Sequence, residues 1–255
     1  MSLIVLKIGG SVLTDKNRSA TARPEHIERM ADEISRGLSS RLVLIHGVGS
    51  FGHHQAKEFG MRNGLNDMSI KGIWPTHSAA KTLNGMIIEA LYQKGLYAAP
   101  VHPLGMCVLK DGRIDSICMD VVDEMLAHGI VPVLHGDLAV DRTRGIEVLS
   151  GDQLIVAMAK ELKAKKVGIG TNVDGVYAKD FKIVEDISPS NIGILKEALT
   201  GSGGVDVTGG MYGKITELMD LASSGIPSLV FNAEKPGNIS GFLRGSCRGT
   251  LIHGD

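Results

Sequence analysis

Aromatic side chains are scarce in this sequence: Phe, Trp and Tyr make up 4% of 255 residues, with a single Trp. Net charge is also almost absent, at −1. Without a global basic field, nucleic acid is disfavoured as a main partner, although a local group of lysines could still hold a nucleotide. Cysteine is confined to Cys107, Cys118 and Cys247, an odd number with no Cys-x-x-Cys spacing. That supports neither a disulfide framework nor a zinc site, and it suits core-filling thiols in a reducing cytoplasm.

Long apolar runs are missing too. No stretch reaches the roughly 18 residues that would span a bilayer, and the N-terminus enters a strand carrying Lys7 with no cleavable-signal pattern. A soluble, cytoplasmic protein without a membrane partner is the expectation. Repeats, low-complexity tracts and long charge runs are absent, and 43% hydrophobic with 22% charged residues is an ordinary globular composition.

What is present is an alternation of two periods. Strand-like apolar runs fall at 3–8, 42–45, 98–101, 130–134, 167–169 and 228–231, and helical patterns at 24–38, 76–94, 118–127, after Asp152, 191–199 and 212–223. Pro24 suits a first helical turn and Gly37 a last one. Asp111-Gly112 marks one hairpin turn and 141–145 a second. Strand, helix, strand in that order predicts an α/β protein with a parallel sheet covered on both faces. The stripe Ala79, Ala80, Leu83, Met86, Ile87, Ala90 and Leu91 reads as the core side of the 76–94 helix.

Four phrases carry chemistry. His46-Gly47-Val48-Gly49-Ser50-Phe51-Gly52-His53 follows a strand and strings glycines before a histidine. It reads as an oxyanion cradle: backbone N–H groups can turn toward an anion, a helix starting near Ser50 adds its positive end, and His53 sits about one turn in. Lys7-Ile8-Gly9-Gly10-Ser11 puts a lysine at a strand's carboxyl end, a poor core residue and a good phosphate ligand, with Lys16 close enough to reach the same site. Ser150-Gly151-Asp152 opens a helix, where Asp152 either caps it or holds a lysine. Asp206-Val207-Thr208-Gly209-Gly210-Met211-Tyr212-Gly213-Lys214 is another glycine turn leading into a helix, with Lys214 on its first turns.

In order along the whole chain, these phrases, with Thr171-Asn172-Val173-Asp174-Gly175-Val176-Tyr177 and Arg248-Gly249-Thr250-Leu251, resemble the amino acid kinase family. His53 at the end of the cradle, together with Lys16, resembles the branch that phosphorylates isopentenyl phosphate. Val48 stands where that pattern usually has glycine or alanine, and Asn172 where it has aspartate.

The resemblance implies a three-layer αβα sandwich on a mostly parallel open central sheet. It implies an acceptor-phosphate lobe over 1–165 and an ATP lobe over 166–255, sharing one sheet. It implies catalytic roles for Lys7, Lys16, His53, Asp152 and Lys214. ATP contacts are then expected at Lys7, Gly9, Gly10, Ser11, Gly49, Asp174, Tyr177, Gly210 and Lys214, and acceptor contacts at Val48, Gly49, His53 and Gly151. Mg²⁺ is expected to arrive with ATP without dedicated protein ligands, and the start of the 76–94 helix, with Trp74 or Thr76 at its mouth, to wall a small prenyl pocket. A homodimer is expected. A kinase for another small phosphate or phosphonate such as fosfomycin, and a non-catalytic nucleotide-binding or storage protein, stand as alternatives. Glutamate and aspartate kinases are disfavoured because the sequence stops at Asp255, with no room for a further regulatory domain.

Overall fold

The computed structural model describes residues 2–178, 182–193 and 212–255. In chain order the elements are β1 (Leu3–Ile8), α1 (Gly10–Leu13), α2 (Pro24–Gly37), β2 (Arg41–His46), α3 (Gly49–Glu58), α4 (Ser69–Gln93), β3 (Ala98–Pro100), β4 (Cys107–Lys110), β5 (Arg113–Ile117), α5 (Asp120–Ala127), β6 (Val131–His135), β7 (Asp137–Asp141), β8 (Gly145–Leu149) and α6 (Gly151–Glu161). There follow β9 (Lys166–Thr171), β10 (Val176–Tyr177), β11 (Ile183–Val184), β12 (Asp186–Ile187), α7 (Tyr212–Ser223), β13 (Ser228–Asn232), α8 (Asn238–Arg244) and β14 (Thr250–Ile252).

The main sheet has the order β12-β14-β13-β9-β1-β2-β6-β3. Its neighbours run parallel except β14, which is antiparallel to β13. β1 is buried along its whole length because it pairs on both sides, with β2 and with β9. A strand buried on both faces favours apolar residues at successive positions, which is why 3–8 reads as a run instead of an alternation, with Lys7 its one charged member.

The two faces carry separate cores. Leu3 and Val5 pack with α5, α6 and α7 through Val122, Leu154, Met158, Ile215 and Leu218. Ile4, Leu6 and Ile8 face the opposite way, onto α2, α4 and α8 through Met30, Ile34, Leu83, Ile87 and Phe242. This is the three-layer sandwich. By the same parity Lys7 falls on the α6 face, with Leu3 and Val5.

The two predicted hairpins form, and they join: β4 runs parallel to β7, making a second sheet in the order β5-β4-β7-β8. That joining is not visible in local sequence. The turn at Asp111-Gly112 has positive φ at both residues, as the tight hairpin turn requires.

Helix α4 starts well before position 76. The Asn66 Oδ1 accepts the N–H groups of Met68 and Ser69, and the Ser69 hydroxyl donates to the Gly64 carbonyl, so the helix is nucleated ahead of Pro75 and passes through it. Trp74 therefore lies inside the helix and is 64% exposed, while Thr76 is buried. Of the predicted apolar stripe, Ala80, Leu83, Ile87 and Leu91 are buried, and Met86 points outward. Most of the predicted 191–199 helix lies outside the described residues. Helix α8 and strand β14 were not anticipated, being only 7 and 3 residues long.

A buried carboxylate ties α2 to α8. Gly237, at the start of α8, has no side chain with which to cap it, and Glu33 on α2 does so instead, accepting the N–H groups of Ile239 and Ser240 while Arg29 pairs with its other oxygen at 3.1 Å. Replacing Glu33→Ala removes the carboxylate from a half-buried guanidinium, which keeps only its bond to the Ala233 carbonyl, and leaves two helix N–H groups unmatched. The expected loss in urea unfolding is about 3 kcal/mol.

Candidate active site

The chain leaves β1 toward β2, β6 and β3 on one side, then crosses back to continue with β9 and β13 on the other. A parallel sheet binds ligands at such a reversal, outside the carboxyl ends of its strands. Here those ends are laced together. Gly9 N–H donates to the Gly170 carbonyl at 2.8 Å, Gly47 N–H to Ile8 at 2.9 Å and Gly136 N–H to His46 at 3.0 Å.

The glycines of the two phosphate-loop phrases are explained by this lacing. A Cβ on Gly10 would stand 2.3 Å from the Gly49 nitrogen, and Gly49 itself has φ +48° with Thr14 Oγ1 where its Cβ would be. The loops after β1 and β2 are thus in direct backbone contact, and no larger residue fits between them. Helix α3 then begins at Gly49, so its positive end faces this rim, although the Ser50 N–H is taken by Thr14 Oγ1 and the Phe51 N–H by the Val48 carbonyl.

Lys7, Asp152 and Lys214 come together beneath it. The Lys7 ammonium is 2.7 Å from Asp152 Oδ1, and the Lys214 ammonium is 3.7 Å from Oδ2. The Ser150 hydroxyl caps α6 by accepting the Gln153 N–H, so Asp152 is free to hold the lysines. Gly151 leaves room for Lys7, whose Cε would lie a tight 3.0 Å from a Cβ there. Burial pushes the Asp152 carboxyl up, but the two ammonium groups outweigh it and hold its pKa below the usual carboxylate range.

Other predicted residues spread around this cluster. Ser11 donates to Asn172 Oδ1 at 3.3 Å, so asparagine supplies the acceptor that an aspartate would. Val48 packs against Gly52, where a Cβ would be 2.5 Å from its methyl. Asp174 is paired with Lys235 at 2.7 Å and accepts from Asn232, and Tyr177 lies in the β10–β11 hairpin. A groove of about 960 Å³ along β13 and α8 includes Asp174 and Lys235 but none of Lys7, Asp152 and Lys214, so cavity size does not mark the lysine site. Gly210 lies outside the described residues.

His53 is exposed on α3, and the surrounding protein with nearby Arg62 holds its imidazole below the usual range. Ala56, one turn on, joins an apolar cluster with Met61, Ile73, Leu104, Leu138 and Ile146. Lys16 is not part of the lysine cluster. It sits exposed on a loop pinned to the first turn of α3 by Ala20 N–H to the Ser50 carbonyl and Thr21 N–H to Ser50 Oγ.

A group of three buried histidines, His46, His77 and His135, with the half-buried His102, was missed. His46 and His135 lie in register at the ends of β2 and β6 with ring centroids 5.6 Å apart, His102 Nδ1 is 2.9 Å from His135 Nε2, and His77 Nδ1 meets Asp137 at 2.9 Å. The signal was the repeated end of two apolar runs, Ile45-His46-Gly47 and Leu134-His135-Gly136. Burial pushes His46 down to about 3 and His102 down to about 4. Among the described residues no group of three or more His, Cys, Asp or Glu is placed to hold a metal ion.

Sheet order, laced glycine loops and lysines on a shared carboxylate are those of an α/β phosphotransferase. The chain belongs to the amino acid kinase family, whose sequence profile matches residues 2–232. It is 38% identical to the isopentenyl phosphate kinase of Methanothermobacter thermautotrophicus, over 99% of each chain, and 38% identical to that of Haloferax volcanii, over 100% of each. A solved structure described as isopentenyl phosphate kinase superimposes with a TM-score of 0.85 at 35% identity, over 98% of this chain and 99% of that one.

The depressed Asp152 pKa fixes a sign. Its pairing stabilises the fold fully above the unfolded-state pKa of about 3.9 and is lost as pH falls through the lower folded value. In urea unfolding, Asp152→Asn is expected to cost about 3 kcal/mol at neutral pH, with the difference from wild type shrinking toward zero in acid below that range.

Proposed function

We propose that the protein transfers the γ-phosphoryl group of ATP to isopentenyl phosphate, giving isopentenyl diphosphate and ADP. The observation that carries this reading is the pair of ammonium groups on Asp152 at the switch point of the sheet. The cluster's one carboxylate is occupied by lysines and is unsuited to act as a general base. A phosphate acceptor needs none, because its second pKa is near ~6 and its attacking oxygen is already ionised at neutral pH.

An acceptor oxygen forms a bond to the γ-phosphorus while the bond from that phosphorus to the β,γ-bridging oxygen breaks, and ADP leaves with the electron pair. The work of the protein is to bring two anions together. Charges about 4 Å apart repel by roughly 4 kcal/mol at an effective dielectric near 20, and several such pairs act at once. Lys7 is assigned to the transferred group, Lys214 to the β,γ end of ATP, and Asp152 to orienting both. Lys16, from its loop beside α3, serves the transferred group once both substrates are bound.

The cradle at Val48 and Gly49, with Gly151, takes the acceptor phosphate, and His53 donates to it. The partly buried Ala56, Phe59, Ile73 and Leu104 beside His53 suit a short hydrocarbon tail, worth about 0.8 kcal/mol per buried CH₂. ATP lies over 166–255, with Gly9, Gly10 and Ser11 at its phosphates and Asp174 and Tyr177 near the nucleoside. The lobes 1–165 and 166–255 divide function within one sheet, since β1 pairs with strands of both. Mg²⁺ would arrive with ATP, since among the described residues no group of three or more His, Cys, Asp or Glu is placed to hold a metal ion; it would neutralise charge on the phosphates. A homodimer is consistent with Trp74, Met86 and Tyr92, exposed on α4.

An ADP-release assay with isopentenyl phosphate, dimethylallyl phosphate, fosfomycin, UMP and acetylglutamate tests the assignment. The prenyl phosphates are expected to turn over, and a preference for fosfomycin, or no turnover of any, would overturn it. His53→Ala should lower kcat/KM for isopentenyl phosphate by about 100-fold and leave the KM for ATP within about two-fold. A bound dianion raises the His53 pKa, so acceptor affinity should weaken as pH rises through the raised value in wild type and lose that component in His53→Ala.

A further inference from the structure

The cradle's direction is set from behind by a proton count. His46 is fully buried, its Nδ1 3.2 Å from the carbonyl of the next residue, Gly47, and its Nε2 3.1 Å from Asn84 Nδ2. Asn84, itself 1% exposed on α4, also reaches the Val133 carbonyl of β6 at 3.2 Å. A carbonyl can only accept, so Asn84 turns its NH₂ to this side, and its two hydrogens serve Val133 and His46 Nε2. Nε2 must then present its lone pair. The one proton of the neutral ring is left on Nδ1, where the Gly47 carbonyl takes it. Burial, reinforced by His135, pushes His46 down to about 3, so the ring stays neutral at pH 7.

The Gly47–Val48 peptide is trans, which sets its N–H opposite its C=O. With the carbonyl held toward the buried ring, the Val48 N–H faces away from it, and no acceptor among the described residues takes it up.

We propose that His46 and Asn84 are positioning residues for the acceptor phosphate: a relay from the Val133 carbonyl through Asn84 and His46 locks the Gly47 carbonyl and thereby aims the Val48 N–H into the cradle. The inference rests on the cradle being the acceptor site. It adds two residues that touch no substrate and act through one peptide plane.

Two variants separate positioning from packing. In His46→Asn the amide nitrogen is as many bonds from Cα as Nδ1 and keeps the donor to Gly47. In His46→Gln the nitrogen replaces Nε2, and that donor is lost. His46→Gln is expected to raise the KM for isopentenyl phosphate by about ten-fold or more, as for one hydrogen bond to a charged group, with the KM for ATP within about two-fold. His46→Asn should stay within about three-fold of wild type for both substrates.

Equal acceptor KM values in the two variants, or an equal rise in the KM for ATP, would overturn the proposal. If neither variant folds, ¹⁵N NMR of the wild-type ring decides: the relay requires the proton on Nδ1 at pH 7, and a proton on Nε2 rules it out. Inorganic phosphate serves as the probe if wild type does not turn over isopentenyl phosphate. In that case the proposed function fails, while a phosphate-dependent shift of the Val48 amide upholds the relay and its absence overturns it.

Discussion

A lysine in the middle strand of a central sheet is an expensive residue, and the arrangement around Asp152 follows from neutralising it. Lys7 is 6% exposed, flanked by paired strands, and its side chain is sent by strand parity to the face that α6 covers. The first turn of that helix answers its charge, with Asp152 at 2.7 Å. Removing either partner strands the other in a poorly solvated place. The same carboxylate then draws in Lys214 from α7, so one anion gathers two cations from distant parts of the chain. Gly151 follows from this geometry, as does the use of Ser150 instead of Asp152 as the helix cap.

Much of this was legible in the sequence because it is local. Continuous apolar runs announced the doubly covered strands, and Lys7 stood out because a charge has no place at the end of such a run unless something uses it. Asp152 was left between capping a helix and holding a lysine, and Ser150 takes the first role. Helix α4 shows the limit of local signals. The sequence pattern begins at 76, yet Asn66 and Ser69 supply enough bonds to start the helix ahead of Pro75. The joining of the two hairpins into a second sheet depends on pairing between distant strands, which no short window contains.

The histidines were hidden for a different reason. A buried histidine looks in sequence like any polar interruption, and its role depends on which nitrogen carries the proton. That is fixed by Val133 and Asn84, residues from other elements. The result is a division between two kinds of imidazole. His53 stands on the surface of α3, where a ligand's charge can raise its pKa, whereas His46 is held neutral and acts only through geometry. Lys16, outside the cluster, is exposed to solvent as His53 is.

The double pairing of β1 has a consequence for biosynthesis. Strand β1 is made before either neighbour and finds its partner β2 early, but the neighbour on its other side is not made until residues 166–171 appear. Throughout the intervening stretch a nascent chain carries an apolar strand with one flank open, the kind of template on which another copy can add. Closure by β9 ends that exposure and brings the lysine-bearing second half into place in one event, so an incomplete chain has neither a sealed sheet nor a phosphate-transferring centre.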